Sequence, residues 1–65
     1  MPDRHVEELV QVLKQQIAEL AEQQSQAVRS AIYLGMSRKE ETEYDQRQSK
    51  IAELVRQLKV LEESA

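Results

Sequence analysis

The chain has no cysteine, no tryptophan and no phenylalanine, and only one glycine, one proline and one histidine in 65 residues. Each shortage closes a route. Without cysteine there are no disulfides and no thiolate metal sites. The single histidine, His5, stands at the N-terminal end, so no histidine-based metal cluster can be assembled. One glycine cannot make a glycine-rich phosphate loop. The longest uninterrupted apolar run is Ala31-Ile32-Tyr33-Leu34, against the roughly 20 apolar residues a membrane-spanning helix needs. The N-terminal residues Met1-Pro2-Asp3-Arg4-His5 are polar and no apolar stretch follows them, so no signal peptide is expected and a cytoplasmic location is.

What is abundant is helix-forming: Glu, Gln, Ala, Leu, Lys and Arg dominate. Charged residues make up 32% with both signs interspersed and a net charge of −3, which fits a solvated helical surface and gives no preference for nucleic acid or an anionic membrane. A chain this short is one domain, 1–65, and buries only about 60% of the surface its unfolded form exposes. Small domains offset that deficit with disulfides, metals or self-association. The first two are closed, which leaves self-association.

Pro2 and Asp3 suit the opening of a helix, and Glu7 and Glu8 suit the positive end of its dipole. Helical periodicity runs from there to Leu34. Gly35 ends it, since a left-handed residue commonly terminates a helix and glycine adopts that shape without strain. Ser37-Arg38-Lys39-Glu40 then reads as a capping box that starts a second helix. The predicted elements are helices at about 4–34 and 38–63 around a turn at 35–37.

Register decides how the two helices meet. Spacings of alternately four and three pick Val6, Val10, Leu13, Ile17, Leu20, Gln24, Ala27, Ala31 and Leu34 in the first helix. The same rule picks Glu40, Tyr44, Arg47, Ile51, Leu54, Leu58, Leu61 and Ala65 in the second. If the chain doubles back at Gly35-Met36, the residue numbers of each facing pair must add to one total. Leu20 with Ile51, Ile17 with Leu54, Leu13 with Leu58 and Val10 with Leu61 all satisfy this. The expected fold is therefore all-α, an antiparallel, coiled-coil-like two-helix hairpin. A single long rod is the alternative, because one glycine inside a helix costs only about 1 kcal/mol.

The hairpin so drawn is two-toned. Its open end has a core of Val10, Leu13, Ile17, Leu20, Ile51, Leu54, Leu58 and Leu61. Toward the turn, Gln24 faces Arg47 in a polar layer of the kind that fixes register and oligomer state. The apolar stripes are also wider than one seam needs, with Leu9, Ala21, Val28 and Val55 flanking it as a candidate oligomer face. Breadth of this sort suits a bundle of three or more helices. Two hairpins related by a twofold axis make a four-helix bundle, so a homodimer (or a higher even state) is expected. A helix from another protein is the other occupant the flank could take.

Three further groups invite a chemical reading. Ile32, Tyr33 and Met36 form an apolar tip at the bend, either a partner-docking surface or a cover over the end of the core. Glu40, Glu41, Glu43 and Asp45 gather at the start of the second helix. Helix-dipole stabilisation accounts for them, and no E-x-x-H motif accompanies them as di-metal bundles require. Ser30, Ser37 and Ser49 have no histidine in reach, which removes nucleophilic catalysis. No enzyme activity, cofactor or metal is expected. Arg29, Arg38, Lys39, Arg47 and Lys50 lie in the turn half, and small hairpin dimers of the Rop type bind RNA through one face. That likeness is of shape alone and no motif carries it. Interleaved carboxylates weaken the field of these basic groups. The function expected is thus a small protein-interaction module, a scaffold, adaptor or regulator, with a nucleic-acid-binding regulator as the alternative.

Overall fold

The computed structural model describes residues 4–64, with the side chain of Ser64 excepted. The expected N-cap at Asp3 and the last core position at Ala65 lie outside these residues. Two helices make up the described chain: α1, Arg4–Leu34, and α2, Arg38–Ser64. At 1.5 Å rise per residue they are about 46 and 40 Å long. The molecule measures 51 × 15 × 13 Å. One continuous rod over the same residues would reach roughly 90 Å, so the helices lie side by side and the single-rod arrangement is excluded.

The reversal is built from local chemistry. Gly35 has φ +73°, a value at which a side chain bearing Cβ is strained. Its N–H donates to the Ala31 carbonyl at 2.9 Å, closing the last turn of α1 through a left-handed cap. Ser37 then caps α2. Its Oγ accepts the Glu40 N–H at 3.2 Å and donates to Glu40 Oε1 at 3.1 Å. This is a capping box in which the glutamate returns to the serine hydroxyl. The Ser37 carbonyl accepts the first bond of the helix, from the Glu41 N–H at 2.9 Å. Glu40 and Glu41 occupy the first turn of α2 and Glu7 that of α1, each near the positive end of its helix dipole.

Burial follows the three-four spacing. Leu54 is buried, and Val6, Val10, Leu13, Ile17, Leu20, Ile51, Leu58 and Leu61 are partly buried, while the residues between them are exposed. Toward the turn, Ala27, Ala31, Tyr44 and Arg47 are partly buried and Gln24 is buried. Two members of the predicted core line depart from it. Leu34 is 89% exposed. In the hairpin register its opposite number is Ser37, a turn residue already committed to capping, so no apolar surface of α2 stands over it. Glu40 is likewise exposed, turned to the Ser37 hydroxyl. Met36, which the sequence left as either part of a docking tip or a cover over the end of the core, is partly buried.

Candidate interaction surface

Two features of the hairpin bear on function: a polar layer between the helices and the apolar surface left outside them. The polar layer centres on Gln24, which is 7% exposed. Its side-chain carbonyl accepts a 2.6 Å hydrogen bond from Arg47 Nε. Its amide donates to the Tyr44 backbone carbonyl at 2.9 Å and to Gln48 Oε1 at 3.3 Å. The residue numbers of Gln24 and Arg47 add to the same total as the four apolar pairs, so the bond joins the two residues that the register sets opposite each other. A buried amide that uses both its oxygen and its nitrogen stabilises this alignment. Sliding the helices would leave Gln24 buried without partners, at about 1–3 kcal/mol. Among the described residues, no buried side-chain nitrogen or oxygen is left without a partner. Gln48 is a member of this layer that three-four spacing does not pick out, while Tyr44, which the spacing does pick, joins it through its backbone carbonyl. The adjacency of Gln48 to Arg47 was the available signal.

The apolar surface outside the seam is large. Leu9 is 40% exposed, Val12 48%, Val28 44%, Val55 46% and Val60 56%. Ala21 is exposed as well. At the bend, Ile32 is 73% and Tyr33 86% exposed, and with Leu34 they form a contiguous apolar tip of consecutive residues. The chain as a whole exposes 5352 Å². A compact protein of its 7.6 kDa would expose about 4,300 Å².

Several hollows mark the surface, and one of about 550 Å³ toward the open end is lined by Arg4, Glu7, Glu8, Gln11 and Val12. A second, about 340 Å³, is lined by Gln24, Ser25, Val28, Arg29 and Tyr44. Another, about 420 Å³, is lined by Glu53, Arg56, Gln57, Val60 and Leu61. Among the described residues, no three His, Asp or Glu side chains come together where they could hold a metal ion. No helix of the described residues is long and apolar enough to cross a membrane.

Comparison with protein-family models, with curated proteins and with solved structures finds no match. The functional reading therefore rests on the hairpin's own surface.

Proposed function

We propose that this chain is a non-catalytic protein-association module whose first partner is a second copy of itself, the two hairpins packing as a four-helix bundle. The observation that carries this reading is the exposed area. The chain leaves about 1,000 Å² more surface in water than a compact protein of its mass, given its 5352 Å² in total. A standard protein interface covers about 800 Å² on each partner, so one further hairpin is of the right size to cover the excess. Uncovered residues of the right kind are at hand, since Val28 and Val55 are 44% and 46% exposed and Ala21 is exposed beside them.

The internal core supports the same reading. Among the described residues, Leu54 is the one buried hydrophobic residue, and no side chain falls below 2% exposure. A two-helix core this thin stabilises little by itself. Association adds stability that depends on concentration.

Sedimentation equilibrium combined with thermal melting at concentrations spanning a hundredfold tests the proposal. A dimer mass and a melting temperature that climbs with concentration are expected. A monomer throughout, with a constant melting temperature, would refute it.

A further inference from the structure

We infer which edge of the hairpin the second copy occupies, and in which direction it runs. The inference rests on the dimer proposed above and assigns its surface: Ala18, Ala21, Ser25 and Val28 of α1, with Ala52 and Val55 of α2, pack against the same edge of an antiparallel partner hairpin.

The first support is geometric. Ala18, Ala21, Ser25 and Val28 follow one another at three-four-three spacing, so they form a second stripe along α1 beside the core stripe. Ala52 and Val55 hold the corresponding positions on α2. The two stripes lie on one edge of the hairpin. Gln24 bonds Gln48 across the helices, and a single hollow is lined by Ser25 and Val28 from α1 and by Tyr44 from α2. All six residues of the edge are exposed. Leu9 and Val12 fall on the opposite side of α1, where Gln16, Glu19, Gln23 and Gln26 interrupt them with polar groups. Only the first edge keeps an uncharged strip, running from Ala18 to Val28 over roughly 15 Å of helix. Its small side chains let two backbones approach closely. The hollow of about 340 Å³ beside Gln24 offers room for a side chain from the partner.

The second support is charge. Moving along this edge toward the open end, the first charges met are Lys14 and Lys59. Moving toward the turn, the stripe carries Asp45 and then Glu41, with Arg29 bordering the hollow. All five are exposed. A partner running in the same direction would set lysines against lysines and carboxylates against carboxylates. A partner running the opposite way, about a twofold axis near Ala21, brings Lys14 and Lys59 of each copy to the level of Asp45 and Glu41 of the other. Isologous interfaces of this kind close on themselves and do not propagate. With the axis near Ala21, which is close to the middle of α1, the two hairpins overlap along almost their whole length.

The test compares dissociation constants by sedimentation equilibrium, with helicity followed by circular dichroism. The wild-type dimer is measured first, because a monomeric wild type sinks the underlying reading and not the choice of edge. Given a dimer, Ala21→Arg is expected to weaken it tenfold or more, while Val12→Arg, on the opposite edge, leaves it within about twofold. The pair Lys14→Glu and Lys59→Glu is expected to weaken it, and adding Asp45→Lys and Glu41→Lys to the same chain restores it. The restoration is the control for a variant that merely folds poorly, since it adds two more substitutions. A dimer that tolerates Ala21→Arg overturns the edge, and a fourfold variant no tighter than the double one overturns the direction.

Discussion

Arg47 Nε lies 2.6 Å from the side-chain oxygen of Gln24, and this hydrogen bond ties the turn-side half of α1 to that of α2 across an otherwise thin apolar seam. Because Gln24 is 7% exposed, water cannot readily replace either partner. The bond therefore stabilises one alignment of the helices over its neighbours more than it stabilises the folded chain over the unfolded one.

Removing one side of that pair should cost more than removing both. Gln24→Leu leaves the half-buried Arg47 guanidinium without its acceptor, and a loss of about 1–3 kcal/mol is expected. The double variant Gln24→Leu with Arg47→Leu should recover much of that loss, because well-packed apolar groups replace a buried polar pair at little or no cost. Urea denaturation of the two variants checks the order. A double variant less stable than Gln24→Leu alone would show that the layer contributes net stability.

Leu54 and Leu34 carry the same side chain at equivalent points of the sequence pattern, yet they differ in burial, at 4% and 89% exposed. Leu54→Ala should destabilise by about 2–5 kcal/mol. Leu34→Ala should stay within about 0.5 kcal/mol of the parent, as surface changes do. Tyr33→Ala, at a site 86% exposed, should behave like Leu34→Ala. Thermal melts of the three variants at one protein concentration separate these outcomes.

The turn depends on conformation and not on space. A Cβ at Gly35 would meet nothing within 4 Å, but φ there is +73°. Gly35→Ala should therefore cost about 1–2 kcal/mol through backbone strain alone. Gly35→Asn should cost less, since asparagine tolerates the left-handed region better. Equal losses for the two variants would point to a steric cause.

Nucleic-acid binding would betray itself through salt. A surface that neutralises phosphates loses affinity steeply as salt rises. Titration of the protein with a generic RNA duplex from 50 to about 200 mM salt should show no saturable, salt-sensitive binding. A steep salt dependence would favour an RNA-binding regulator over a protein-association module.

Much of the hairpin was legible from spacing. The turn could be read because glycine and a serine-led capping box are local signals, each acting within a few residues. The pairing of the helices could be read because two apolar stripes of equal period, folded about Gly35, admit few alignments. The misplaced residues sit where the pattern meets the bend. Leu34 continues the three-four rhythm, but a stripe is buried only where the other helix stands over it, and at the turn none does. Met36 belongs to no helix, and its partial burial follows from the path of the turn, which periodicity does not encode.

The sequence by itself determined two helices, the place where the chain reverses and the register of the seam, because these follow from short-range backbone preferences and from the repeat of apolar positions. Only the tertiary structure decided that Gln24 closes its amide on Arg47, Gln48 and the Tyr44 carbonyl, that the bend leaves Ile32, Tyr33 and Leu34 uncovered, and that one edge brings Val28 beside Tyr44. Those outcomes depend on how side chains from distant parts of the chain share the same small volume, and a one-dimensional pattern carries no record of that.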